Sequence, residues 1–190
     1  MLYHNHQVLR RAITHTRTQL LDITRSAAAL GVCHRIQQLA QYKCAKNIVL
    51  YFAINGEVDL NPLWEMALSH HKYCYFPIML ENKTMQFTMA DTNTPLTRNQ
   101  YNIFEPFNSE SRSIKLEHID ILCAPLVAFD NKGTRLGMGA GFYDRTLAIY
   151  HPKFLLGIAY DFQFQPYIMR RSWDIPLDAV ITPTTLFAWQ

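Results

Sequence analysis

Between residues 119 and 150 a long apolar run, a loop with three alternating glycines and a helix start follow one another without a break. Residues 119–128 (IDILCAPLVA) carry apolar side chains on successive positions rather than alternate ones, which marks a strand buried on both faces. Such a strand needs partners on either side and cover above and below. Shorter runs of the same kind stand at 48–52, 73–77, 155–159 and 179–182, with helical periodicity between them. Strands alternating with helices imply an α/β fold, and we expect a single three-layer sandwich whose largely parallel or mixed sheet is flanked by helices.

The N-terminal part reads as a helical pair. Leu9, Ile13, Thr16, Leu20 and Ile23 recur every three or four residues, as do Ala29, Cys33, Ile36 and Ala40, with Ser26 as cap of the second helix. Asn55-Gly56 ends the first strand in a turn. Asn61-Pro62 opens a helix with Asn61 as cap, turning Leu63, Met66 and Ala67 inward. Residues 85–89 pair with 73–77. Residues 91–118 are polar and turn-rich and read as one long surface connection, and a helix is expected over 142–150. No repeat or linker interrupts the chain, so one domain is expected over 1–190.

Hydrophobic residues make up 49% and charged residues 17%, which excludes a disordered chain. Asp120 and Pro125 break the longest apolar run, so no membrane span of about 18 residues is present. The first 17 residues hold His4, His6, Arg10 and Arg11 but no apolar core with a cleavage site, so a cytoplasmic protein is expected. Cys33, Cys44, Cys74 and Cys123 are scattered and read as reduced thiols rather than a zinc site or a disulfide framework. Net charge is +3, yet the first fifty residues hold seven Arg/Lys against Asp22 alone. That basic face suits small polyanions or solvent. Lacking a Lys/Arg run or interleaved aromatics, it does not suit nucleic acid.

Chemistry concentrates in 130–145, DNKGTRLGMGAGFYDR. Glycines at 137, 139 and 141 let backbone N–H groups approach a ligand, and the helix that follows adds its positive end. Arg135 and Arg145 can add charge-assisted hydrogen bonds to phosphate oxygens, and Asp144 can hold a Mg²⁺ bridging them. The spacing G-x-G-x-G matches neither the Walker A loop nor the dinucleotide fingerprint, and a glycine turn that serves packing alone is the alternative.

The stretch RLGMGAGFYDR at 135–145 strongly resembles the RLGYGGGYYDR signature of the 5-formyltetrahydrofolate cyclo-ligase family. Ala124-Pro125-Leu126-Val127-Ala128-Phe129-Asp130 is similar to the family's strand before the loop. Phe52-Ala53-Ile54-Asn55-Gly56-Glu57-Val58-Asp59, Glu105-Pro106 and Trp173-Asp174-Ile175-Pro176-Leu177-Asp178 have counterparts in the same order.

The resemblance implies ATP-dependent closure of 5-formyltetrahydrofolate to 5,10-methenyltetrahydrofolate, with ATP as co-substrate and Mg²⁺ as cofactor. A monomer is expected, although the sequence itself carries no signal for the oligomeric state. It places ATP on His6, Arg10 and the segment Arg135, Leu136, Gly137, Met138, Gly139, Ala140, Gly141, Phe142 and Tyr143. It places the folate on Phe52, Glu57, Met138 and Tyr143, and Mg²⁺ on Asp144 and Asp174. His6 stands where the family carries a stronger base, four residues before Arg10 and hence on the same helix face. Ala140 stands where the family carries glycine. These two departures keep a second reading open, a non-catalytic folate- or nucleotide-binding relative. Trp173 is read as packing near the metal, and Arg170 and Arg171 as contacts for a folate glutamate tail or as solvated charges.

Overall fold

The computed structural model describes residues 2–107 and 112–189, with side chains from His6 onward. The chain begins with α1 (Leu2–Thr18), α2 (Asp22–Gln38), α3 (Ala40–Cys44), β1 (Asn47–Val49), α4 (Asn61–Ser69), β2 (Tyr73–Met79) and β3 (Met85–Met89). There follow β4 (Leu96–Arg98), β5 (Phe104–Pro106), β6 (Ser113–Ile114), β7 (Ile121–Pro125), β8 (Ala128–Phe129), β9 (Arg135–Leu136) and α5 (Phe142–Leu147). The last strands are β10 (Leu155–Ile158), β11 (Ala179–Ile181) and β12 (Leu186–Ala188).

Eight strands form one sheet in the order β12-β11-β10-β7-β1-β2-β3-β6. The five from β11 to β2 are parallel, and the strands at both edges run antiparallel. Alternate side chains on the parallel strands point to opposite faces. Ile48, Leu50, Cys74, Phe76, Ile121 and Cys123 pack with residues of α2, α3 and α4. Val49, Tyr75, Leu122, Ala124 and Leu155 pack on the other face with Phe142 and Leu147 of α5. These are the three layers that the apolar runs demanded. Each fully buried side chain of this size contributes about 1.5–3 kcal/mol, so the sheet and its two covers carry most of the hydrophobic stabilisation. A third, smaller cluster joins Leu9 and Ile13 of α1 to Val127, Ala128, Leu136 and Ile168.

Several boundaries differ from the sequence reading. Leu20 does not extend α1: the helix closes with Gln19 N–H bonded to His15 O and Leu20 N–H to Arg17 O, and α2 starts at Asp22 rather than after Ser26. Asp22 suits that first turn because a carboxylate complements the positive helix end, and Arg25 bonds it at 2.8 Å. Ala40 belongs to α3, since Leu39 is extended and ends α2. Asn61 is the first residue of α4 rather than its cap, and its N–H is held by Asp59 Oδ1 at 3.0 Å. The expected strand 119–128 is split, with β7 ending at Pro125 and β8 pairing β9 as a hairpin. The long connection contains the hairpin β4–β5 and the edge strand β6, and the turn read at 108–111 lies outside the described residues. β12 follows a Pro183 turn too short to signal a strand by periodicity.

Candidate active site

The C-terminal ends of β1, β2 and β7 open into a cavity of about 870 Å³. From β1 the sheet is built outward in both directions, to β2 on one side and to β7 on the other. Open α/β sheets bind ligands in the crevice at that point. Tyr51, Phe52 and Glu57 come from the chain after β1, Pro77 and Met79 from β2, and Pro125 and Leu126 from the end of β7. His6 and Arg10 reach in from α1, and Arg171, Trp173 and Asp174 from the segment before β11. The residues that the resemblance assigned to ATP, folate and metal all line this one cavity, from His6 and Arg10 through the whole 135–144 segment to Phe52, Glu57 and Asp174; of the two arginines read as contacts for a glutamate tail, Arg171 lines it and Arg170 does not.

The glycine loop forms one wall. It follows the β8–β9 hairpin rather than β7 directly, so the hairpin sets its height above the sheet. Gly139 (φ 104) and Gly141 (φ 74) take backbone conformations that side-chain-bearing residues avoid. Ala140 is not among the residues with positive φ, so the alanine sits there without that strain. Arg10 lies against the loop: its Nε donates to Gly137 O at 2.8 Å, and a Cβ on Gly139 would meet its Cζ at 3.5 Å. Arg145 donates to Ala140 O and, at 3.2 Å, to Lys83 O, tying the loop to the β2–β3 turn. With six residues, α5 adds little macrodipole, so the arginines carry most of the positive character of this wall.

Arg135 is the most constrained of them. Its side chain is 2% exposed, its Nη2 donates to Asp144 Oδ1 at 2.7 Å, and its guanidinium lies 5.3 Å from the Tyr143 ring centre. Its Nη1 has no hydrogen-bond partner among the described residues. A buried donor left alone costs about 1–3 kcal/mol, and in a cavity wall an anionic oxygen is the natural acceptor. Asp144 Oδ1 also accepts from Ile175 N–H at 3.5 Å, which brings the 174–175 peptide to the same corner. Asp174 Oδ2 accepts from Arg171 N–H at 2.8 Å. Among the described residues no cluster of three or more metal-ligating side chains exists. Two carboxylates lining one cavity are the kind of donor set Mg²⁺ takes, because that ion keeps several waters and uses few protein ligands.

Cations crowd the cavity mouth. Burial first, then Arg10 and Arg171, push the His6 pKa below its ordinary 6.5, with Asp174 opposing them. Burial and Arg171 likewise lower Arg10. Each of these shifts would be relieved by a bound anion.

The opposite wall is apolar and acidic. Phe52 stacks on Phe76 at 4.3 Å and meets Trp64 and Phe104 edge-on. Glu57 is buried, and its Oε2 accepts from Ile54 N–H at 3.2 Å. Burial pushes its carboxyl pKa up to about 7, against the lowering effects of Arg17 and the Ile54 N–H. Tyr143 faces the cavity as expected and is half-buried there, and burial and then the Glu57 carboxylate push its pKa up.

Two contributors were missed. Tyr101, Ile103 and Phe104 of the β4–β5 hairpin line the cavity, and Glu105 Oε1 anchors that hairpin by accepting from Met79 N–H at 2.8 Å and Asn99 Nδ2 at 2.7 Å. The polar turns around this hairpin hid its two short strands. Arg17, read as one more basic residue of the helix, is fully buried beneath the cavity floor; its place four residues after Ile13 puts it on the inward face of α1, but a charged side chain there reads as solvated.

The model of the 5-formyltetrahydrofolate cyclo-ligase family matches residues 3–183. The chain belongs to this family. Among curated members, the 5-formyltetrahydrofolate cyclo-ligase of Haemophilus influenzae is 35% identical over 175 residues, covering 90% of this chain and 94% of that protein. The cyclo-ligase of Escherichia coli strain K12 is 36% identical over 149 residues, 76% of this chain and 82% of that protein. The solved structure of Aquifex aeolicus 5,10-methenyltetrahydrofolate synthetase is similar with a TM-score of 0.85 and 32% identity, over 96% of this chain and 92% of that one. A Mycoplasma pneumoniae 5,10-methenyltetrahydrofolate synthetase is similar with a TM-score of 0.75 and 26% identity, over 94% and 98%. The cyclo-ligases are ligases, and the fold expected for the family is the fold observed.

Proposed function

We propose that this cyclo-ligase family member converts 5-formyltetrahydrofolate to 5,10-methenyltetrahydrofolate at the expense of ATP, with the glycine loop as the triphosphate wall and the Phe52–Glu57 side as the folate wall. The observation that carries the reading is the single cavity in which Arg10, Arg135 and the loop face Phe52 and Glu57. One wall suits a polyanion and the other a flat, hydrogen-bonding ring, and the reaction needs both substrates side by side.

The formyl oxygen attacks the γ-phosphorus of ATP and ADP leaves, so that oxygen becomes part of a phosphate ester on an iminium carbon. The folate N10 then attacks that carbon, phosphate departs with the former formyl oxygen, and N10 loses its proton. Positioning and charge neutralisation supply most of the catalysis in such a transfer. Arg10, seated on Gly137 O, and the unpartnered Nη1 of Arg135 supply donors for phosphate oxygens. Asp144 and Asp174 would hold Mg²⁺, which neutralises charge on the phosphates when bound. Phe52 offers an aromatic face for the pterin, and Glu57 an acceptor for its amide and amino N–H groups. No side chain acts as a nucleophile.

The fit of Ala140 to the loop removes one argument for a non-catalytic relative. The test is incubation with 5-formyltetrahydrofolate, Mg²⁺ and ATP while methenyl absorbance and ADP are followed together. The reading requires equal yields of both products and no product when ATP or Mg²⁺ is withheld; methenyl formation without ADP would refute it.

A further inference from the structure

Arg17 is the least expected residue in the molecule, a guanidinium with 0% exposure at the end of a helix whose other cations face solvent or the cavity. Its Nη1 donates to Leu126 O at 3.0 Å and its Nε to Asn55 O at 3.2 Å. It therefore clips the chain after β7 to the turn after β1, and these two segments form the cavity floor. The same Nη1 stands 3.8 Å from Glu57 Oε1. Its Nη2 has no hydrogen-bond partner among the described residues.

The backbone is shaped around this contact. Gly56 has φ 73, and a Cβ there would lie 2.6 Å from Arg17 O. The 55–57 turn thus fits closely against the last turn of α1, and only glycine allows that approach. Glu57 is held from two sides. Ile54 N–H fixes Oε2 at 3.2 Å, while Oε1 faces Arg17 at a distance that exerts a field without consuming a lone pair. An acceptor oxygen stays available to the cavity.

We propose that Arg17 is a positioning residue for Glu57, holding its carboxylate from behind the cavity floor so that it binds the folate ring in one orientation and as an anion. The proposal rests on Glu57 contacting the folate, and on Arg17 touching neither substrate. The groups whose charge bears on Glu57 from the surrounding elements are Arg17 on α1, Tyr51 after β1, Tyr143 on α5 and Tyr160 after β10. The three phenols are all pushed upward and stay neutral near pH 7. Arg17 is thus the cation that opposes the effect of burial on this carboxyl.

Two measurements on the full chain test the proposal. The first titrates the ¹³C-labelled Glu57 carboxyl by NMR in wild type, Arg17→Met and Arg17→Lys. Loss of the cation should raise the Glu57 midpoint by about one pH unit in the Met variant, with Lys in between, which retains the charge in case the Met variant folds poorly. The second measures KM for 5-formyltetrahydrofolate and for ATP across pH 6 to 9. In Arg17→Met the folate KM should rise about tenfold below neutral pH and recover as pH rises, because one pH unit is a tenfold change in the ionised fraction. The ATP KM and the kcat at high pH should stay within about twofold of wild type. An unmoved Glu57 midpoint in both variants would overturn the proposal. So would an equal rise of folate KM at every pH, or the same rise when Arg17→Met is added to Glu57→Gln, since a purely structural role predicts both. A shifted midpoint with an unchanged folate KM would overturn the folate contact of Glu57, and with it the role assigned here, while leaving the electrostatic link intact.

Discussion

Replacing Glu57 by glutamine should abolish the pH dependence that this buried acid imposes on folding. The carboxyl titrates near 7 in the folded protein, against an ordinary 4.5. Because the folded value is the higher, the folded state holds the proton across the window between them. Its contribution to stability is fullest below 4.5 and is lost as pH rises through 7. The gap corresponds to about 3 kcal/mol. Glutamine keeps an acceptor for Ile54 N–H and carries no charge to desolvate. Urea unfolding of both proteins at pH 4.5, 6 and 8 should therefore show the difference moving in favour of Glu57→Gln by up to about 3 kcal/mol between the extremes. Most of the movement should fall between pH 4.5 and 7. A difference constant across that range would show that Glu57 is ionised and well solvated, and would refute the burial argument. Activity should move oppositely, since the variant lacks the proposed anionic contact.

Asp144→Asn should lower turnover by a factor on the order of a hundred, equivalent to roughly 3 kcal/mol of transition-state stabilisation, seen as a fall in kcat at saturating substrate. It should also cost about 1–2 kcal/mol of stability in urea unfolding, because the buried Arg135 loses its anionic partner. Asp174→Asn should act in the same direction, and the double variant should be less than additive in kcat if both carboxylates serve one ion. Arg10→Ala should raise the KM for ATP more than that for the folate, and His6→Lys should lower the ATP KM most visibly above pH 7, since His6 titrates below 6.5. Ala140→Gly should leave the ATP KM within about twofold, whereas Gly139→Ala, forced to φ 104, should cost about 1–2 kcal/mol and weaken ATP binding in a titration with a non-hydrolysable analogue.

What the sequence made legible follows the strength of its local signals. The parallel strands were visible because Ile121, Leu122 and Cys123 are buried on both faces and leave no polar alternation. The glycine loop stood out because three glycines alternate between a buried strand and a helix start, but packing alone could account for them, and both its role and the cavity residues beyond it were legible only through family resemblance. The β4–β5 hairpin was hidden because its strands are three residues each, and its inward residues Ile103 and Phe104 adjoin Asn99, Asn102 and Arg98. Arg17 was hidden for a different reason. Its burial depends on the 55–57 turn and on Leu126, residues that are 38 and 109 positions away, and no helical periodicity encodes such partners. Likewise the Arg135–Asp144 pair joins a strand to a helix across the loop, so both residues read as ligand groups before they read as each other's partners.

The central claim is that this cavity transfers the γ-phosphoryl group of ATP to the formyl oxygen before the folate ring closes. It is tested most directly by running the reaction with 5-formyltetrahydrofolate labelled with ¹⁸O in the formyl group and analysing the released phosphate by mass spectrometry. The account predicts one ¹⁸O atom in each phosphate formed alongside methenyltetrahydrofolate. Unlabelled phosphate, with the ¹⁸O recovered in water, would contradict it.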